Sequence, residues 1–296
     1  MKAKTRAILR AVKSACTHLY TLFFLNGFLL CLIIYAYVED QYEQETFNSL
    51  DAYILKSFDG RPVDEDSALL RTMHLAYCLE TMHRKAFSAA RVGGFIADGI
   101  HPVGYDFATG QGACGSAAMV LGRLLLSMHY PVRLMHMRVD GIPGGHHVVE
   151  VKTHGRWVVV DPLYDLHFMR PDGRMASFDD LRDNWAYYKR QTPRDYDMRY
   201  RYEGGTHTNW NRIPIVMPAA KAMLNLVVGR ERADAISLRT IFLRKYHVLF
   251  IILLAVYAIV LSVTARVLFR HGRGRRVAYP YLEAIVQPHT QTQLIA

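Results

Sequence analysis

Two stretches of this chain carry no charged side chain and are long enough to leave water altogether. Leu19–Val38 runs for 20 residues with only Thr21, Asn26 and Gly27 breaking its apolar character. Tyr246–Ala265 runs for another 20, interrupted by His247, Ser262 and Thr264. A helix of about 20 residues, at roughly 1.5 Å per residue, crosses a hydrocarbon core of about 30 Å. Two buried core helices are the alternative, but core helices rarely run so long without charge. The reading is therefore two membrane spans.

Charge sets the expected orientation. Residues 1–18 hold Lys2, Lys4, Arg6, Arg10 and Lys13 and no acid, whereas Glu39, Asp40, Glu43 and Glu45 follow the first span against Lys56. Positive charge resists translocation, which keeps the N-terminus in the cytoplasm. The second span carries basic residues on both sides: Arg230, Arg232, Arg239, Arg244 and Lys245 before it, and Arg266, Arg270, Arg273, Arg275 and Arg276 after it. Two spans return the C-terminus to the cytoplasm. The expected organisation is a basic tail (1–18), a first span (19–38), an extracytoplasmic domain (39–245), a second span (246–265) and a second basic tail (266–296). The bilayer is thus an expected partner. A cleavable signal peptide is the runner-up for the first span, but the run is long for one and no clear small-x-small site follows it.

The same charges weaken a nucleic-acid reading. The chain has 36 Lys and Arg against 26 Asp and Glu, a net +10. Removing the two tails leaves a middle that is nearly neutral, so no DNA or RNA partner is expected. The basic tails fix topology and touch anionic lipid.

Cys16 and Cys31 fall in the tail and first span, leaving Cys78 and Cys114 in the domain. An exported domain permits them to pair. Cys78 lies in an apolar helical stretch, however, and reads as a buried thiol. No CxxC metal spacing occurs.

Asp64–Asp66 and Ser67 offer caps for a helix over about Ala68–Ala90. A glycine-rich stretch follows, from Gly93 to Gly112. A strongly apolar helix then runs from about Cys114 to His129 and ends at Pro131. Val132–Val139 reads as a strand. His146–Lys152 and Arg156–Asp161 read as a hairpin around His154–Gly155. A helix over Phe178–Lys189, a half-exposed strand over Tyr196–Tyr202, and helices over Pro218–Val228 and Ala233–Tyr246 complete the pattern. The fold class is α+β, a cysteine-bearing helix packed on an antiparallel sheet between two transmembrane helices.

Cys114 opens its helix among Gly112, Ala113, Gly115 and Ser116. A helix N-terminus favours a thiolate, and small neighbours leave backbone N–H groups free for an oxyanion. The hairpin supplies partners. With a two-residue turn, Thr153 faces Arg156 and Val148 faces Asp161. His146 then shares a face with Asp161, as a diagonal neighbour, and with Glu150. His147 falls on the other face with Val149, Val151, Val158 and Val160. The polar face looks like the active-site side. A one-residue slip would exchange the two histidines, which keeps His147 as the alternative base. Asp161 would orient the imidazole.

These blocks resemble the transglutaminase-like cysteine-enzyme superfamily. The matching residues are Gly112-Ala113-Cys114-Gly115-Ser116-Ala117-Ala118, Tyr130-Pro131-Val132-Arg133, His146-His147-Val148-Val149-Glu150-Val151 and Trp157-Val158-Val159-Val160-Asp161-Pro162. They cover about 60 residues within a core of about 104–165 and stand in the family's order. The resemblance implies a papain/transglutaminase-like core with Cys114 as nucleophile, His146 as general base and acid, and Asp161 as orienting carboxylate. Val148 stands where the family usually has Trp, and Tyr130 where it usually has Gly. Acyl transfer through a thioester is implied, by a thiol protease or amidase if water resolves it, or a transglutaminase-type enzyme if an amine does.

Other uses of the same residues compete. Gln111 is a possible oxyanion helper or a plain loop glutamine. His146, His147, His154, His167 and Asp161 could bind a metal, but adjacent strand residues point to opposite faces, so no metal and no cofactor is expected. The aromatic group at Trp185, Tyr187, Tyr188, Tyr196, Tyr200, Tyr202 and Trp210 reads as ordinary packing more than a sugar- or lipid-contacting surface. Asn26 and Gly27 either mark a helix contact or carry no meaning. The expected setting is a bacterial-type inner membrane with the domain in the periplasm, acting on envelope protein or peptide. The alternative is a non-catalytic assembly module of an envelope machine such as polysaccharide export, with complex partners there.

Overall fold

The computed structural model describes residues 18–86, 103–104, 114–208, 210, 215–230, 233 and 236–274. The chain forms two compact units. One comprises residues Met1–Ile34 and Ile251–Ala296, the other Tyr35–Phe250.

The first unit holds the apolar parts of two long helices, α1 (Leu19–Lys56) and the last helix, Lys245–Gly274. Both are long and apolar enough to cross a membrane, with mean hydropathy 2.1 for Leu19–Lys56 and 2.8 for Leu238–Arg270. Little of either apolar stretch is buried. Phe24, Phe28, Ile251, Ile259 and Phe269 all stand exposed, which a core helix of a water-soluble protein would not tolerate. Asn26 donates through Nδ2 to Leu22 O at 2.7 Å and to Thr264 Oγ1 at 2.9 Å, joining the two helices. Asn26 thus marks a helix contact, whereas a Cβ on Gly27 would meet nothing within 4 Å.

α1 does not stop where its apolar run stops. It continues through a polar half to Lys56, because residues 39–56 hold no glycine or proline and Gln44, Glu45 and Ala52 are good helix formers. In the second unit this half buries Phe47 and Ile54. Helix α2 (Glu65–Ala86) follows, capped by the Asp64 carboxylate, which accepts from Ser67 N at 3.1 Å. Helix α3 (Cys114–Ser127) packs on α2 and on the sheet.

The sheet has five antiparallel strands: β1 (Val132–Val139), β2 (Ile142–Thr153), β3 (Arg156–Asp161), β4 (Leu166–His167) and β5 (Gly205–Thr206). Their spatial order is β4-β3-β2-β1-β5. The β2–β3 register pairs Thr153 with Arg156 and Val149 with Val160. His154 and Gly155 have φ of +46° and +76°, as a two-residue hairpin turn of matching twist requires. This is the register expected from the sequence.

Each sheet face has its own cover. Leu134, Val149, Val151, Val158 and Val160 pack beneath Ala118, Leu121 and Leu125 of α3. Met135, Met137, Val148 and Val159 pack against Phe168, Phe178, Leu181, Tyr188, Tyr196 and Tyr202. The sheet is therefore buried on both sides where the hairpin lies.

Several expected boundaries move. The helix expected over Phe178–Lys189 breaks into α4 (Phe178–Asp183) and α5 (Trp185–Tyr188) because Asn184 leaves helical geometry, with φ −142° and ψ 50°. Tyr196–Tyr202 is not a strand. Arg199 N donates to Asp197 Oδ1 at 3.0 Å and Tyr200 N to Asp197 O at 2.9 Å, so turns hold the segment locally. Helix α6 is Val216–Val228. The stretch expected as one helix to Tyr246 contains the short α7 (Leu238–Ile241) and a tight turn at Phe242–Arg244 before α8 (Lys245–Gly274). Cys78 is half-buried rather than buried, and Cys31, Cys78 and Cys114 are free thiols.

β2 bulges opposite Met137 and Arg138, just before His146. Gly145 lies there, and a Cβ on it would come within 2.7 Å of Val139 Cβ. Gly145→Ala is expected to force the strands apart at a cost on the order of 1–3 kcal/mol. Thermal unfolding of the full chain in detergent measures this as a fall of several degrees.

Candidate active site

Cys114 is the first residue of α3, and the helix reaches it with its apolar face already committed to the sheet. The first turn is tied down by Ser116, whose hydroxyl donates to Glu80 Oε1 of α2 at 3.1 Å. The sulfur is half-buried, at a helix end where the peptide dipoles favour negative charge.

His146 lies on the sheet face opposite α3 and has no accessible surface. Its Nε2 is 2.6 Å from Asp161 Oδ2. Asp161 is equally buried, and its other oxygen accepts from Leu163 N at 3.1 Å. A carboxylate on Nε2 fixes the proton there and turns Nδ1 into the working nitrogen. That Nδ1 is buried and has no hydrogen-bond partner among the described residues. The ring is stacked on Tyr200, with centroids 4.0 Å apart and planes 7° from parallel. Burial alone would lower the pKa of His146. The charge and hydrogen bond of Asp161, with smaller help from the neighbouring Cys114, outweigh it and raise the pKa to about 9.

His147 projects to the α3 side. Its Nδ1 is 3.4 Å from Cys114 Sγ, and its Nε2 is 3.0 Å from His136 Nδ1. Burial, then the charges of Arg239, His136 and His146, push its pKa down to about 3, so it stays neutral. The sulfur accordingly meets a neutral imidazole by hydrogen bond and lies within electrostatic reach of a charged one.

The structure brings His146 to Asp161 on one face of the sheet and Cys114 to His147 on the other. His146 takes Asp161, as diagonal pairing requires. The expectation that the face of His146, Glu150 and Asp161 alone forms the active-site side is corrected, because α3 and its cysteine cover the other face. Glu150 is occupied elsewhere: Arg133 Nε is 2.8 Å and His207 Nε2 2.6 Å from its Oε2. Burial raises its pKa, but these two partners outweigh that and lower it. Gln111 lies outside the described residues. The histidines weighed as metal ligands do not gather. His154 instead lies by Asp64 and Asp66, at 3.4 and 3.8 Å, in an exposed group across the hairpin turn.

Sequence reasoning missed Tyr200 and His136 as site residues. His136 was within reach: β1 pairs it directly with His147. Tyr200 had no such signal, because its segment is held by turns and not by a register.

No known protein family, curated protein or solved structure matches this chain.

The two histidines give opposite slopes of stability with pH. His146 has its pKa raised above the ordinary 6.5, so its contribution is complete below about 6.5 and is lost as pH rises through about 9. His147 has its pKa lowered, so its contribution is present above about 6.5 and is lost as pH falls toward about 3. Denaturant midpoints of the full chain check this. His146→Gln is expected to flatten the alkaline decline and His147→Gln the acid one.

Proposed function

We propose that this chain is a membrane-anchored thiol enzyme of acyl transfer, using Cys114, His146 and Asp161, and that its substrate is an envelope protein or peptide. The observation that carries the reading is the buried His146–Asp161 pair, whose Nδ1 has no hydrogen-bond partner among the described residues and whose raised pKa draws in part on the neighbouring Cys114. A plain core histidine has no need of an unpartnered nitrogen beside a thiol. The resemblance to the transglutaminase-like superfamily supports the same assignment.

The chemistry follows from those charges. The Cys114 sulfur gives its proton to His146 and attacks a carbonyl carbon. Backbone N–H groups at the start of α3 receive the oxyanion. His146 passes its Nδ1 proton to the leaving amine or alcohol, and a thioester on Cys114 remains. His146 then takes a proton from water or an incoming amine, whose attack releases the acyl group. Asp161 keeps the ring oriented throughout. Tyr200, lying flat on that ring, shields it from water. His147 is the positioning residue for the sulfur, since a base that is neutral down to pH about 3 does not hold the ion pair.

A second reading, a binding or assembly module that keeps the fold without the reaction, is favoured by one observation: His146 has no accessible surface beneath Tyr200. Alkylation separates the two. In a chain whose other cysteines are serine, iodoacetamide is expected to modify Cys114 quickly. His146→Ala should slow this at least about 100-fold, whereas His147→Gln should leave it within about tenfold. A Cys114 indifferent to His146→Ala returns the protein to the module reading.

We also propose that both basic tails lie in the cytoplasm and that residues 39–245 lie outside it, in the periplasm of an inner membrane. Cysteines introduced at Lys4 and Arg276 in whole cells should resist a membrane-impermeant maleimide, and one introduced at Arg199 should react.

A further inference from the structure

A second thiol, imidazole and carboxylate come together away from the site above. His74 and Cys78 are four residues apart on α2, so one face of the helix presents both. Cys78 Sγ is 3.5 Å from His74 Nε2, and His74 Nδ1 is 2.6 Å from Asp165 Oδ2. Asp165 sits in the tight turn between β3 and β4, with φ +51°. Unlike the buried pair, this group is open: the His74 side chain is 60% exposed and that of Asp165 26%.

We propose that Cys78, His74 and Asp165 form a surface thiol site that reacts by exchange with small-molecule disulfides. Asp165 accepts the Nδ1 proton of His74 and fixes the tautomer, which leaves the Nε2 lone pair facing the sulfur. The thiol proton moves to Nε2. The thiolate attacks one sulfur of a disulfide RS–SR, the Cys78–SR bond forms and the RS–SR bond breaks. The departing RS⁻ takes the proton from His74 and leaves as RSH. Cys78 is oxidised to a mixed disulfide, half of the small disulfide is reduced, and no other reagent is needed. Exposure of the relay admits the disulfide, and the carboxylate gives the imidazolium a counter-charge that an isolated surface cysteine lacks. The site needs neither Cys114 nor His146.

Oxidised glutathione is the probe, and intact mass of the full chain in detergent is the readout. Cys16, Cys31 and Cys114 are replaced by serine so that Cys78 alone can react. The mixed disulfide is expected to form at least about tenfold faster in the folded chain than in the same chain unfolded in guanidinium, where Cys78 is an ordinary thiol. His74→Ala should remove that advantage. Asp165→Asn should reduce it and Asp165→Glu restore it, which separates ring orientation from loss of a surface contact. Thermal unfolding of each variant checks that the fold is kept. Equal rates for folded and unfolded chain, or a folded rate unmoved by His74→Ala, overturn the proposal. Because Cys114 is absent from the experiment, its outcome is independent of the acyl-transfer reading.

Discussion

The buried bond between His146 and Asp161 is the constraint around which the domain is organised. A charged pair with no accessible surface survives only where its geometry is good and its remaining atoms are provided for. Here β2 and β3 hold the two residues in diagonal register, Leu163 N occupies the second carboxylate oxygen, and Tyr200 covers the ring. The nitrogen left over is the exception: Nδ1 has no hydrogen-bond partner among the described residues, and Cys114 lies near it. Losing Asp161 would leave burial to lower the pKa of His146, so the ring would be neutral and the stability that depends on its charge would be lost.

How legible this was depended on how local the information is. The hairpin could be read from period-two alternation and a His-Gly turn, and the structure selects the two-residue turn over the one-residue slip that would have exchanged the histidines. From that register the pairing of His146 with Asp161 followed. The face occupied by the cysteine did not follow, since it depends on which side of the sheet α3 chooses. The valines of the His147 face gave the clue: a uniformly apolar face needs a helix over it, and α3 is a strongly apolar one. Tyr196–Tyr202 misled for a related reason. Alternating tyrosines suit a strand, but they equally suit a turn-rich strap that presses every second ring onto a sheet. The bonds from Arg199 to Asp197 that decide the matter depend on local turn chemistry.

The two apolar runs were legible as helices long and apolar enough to cross a membrane, but the end of α1 was not. Hydropathy falls after Val38 while the helix continues, because a polar helix face costs nothing where other partners await it. Those partners are unusually charged. Arg244 Nη2 is 3.3 Å and His247 Nδ1 3.0 Å from Asp40 Oδ2. The domain side of α1 is thus joined to the start of α8 through ions as well as through the ring contacts Tyr35–Tyr246 and Tyr37–Phe250.

Arg123 shows what that joint means for the cysteine helix. It sits mid-way along α3, is 1% exposed, donates to Gln44 Oε1 at 2.9 Å, and lies over the Phe47 ring at 4.6 Å. Burial lowers its pKa, while the carboxylates of Glu43, Asp40 and Asp51 oppose that. Every one of those supports belongs to α1. Anyone trimming the protein to obtain a water-soluble fragment therefore has to cut ahead of Asp40: a cut at Lys56 would discard the whole retinue of a guanidinium locked inside the fold, and the helix bearing Cys114 would go with it.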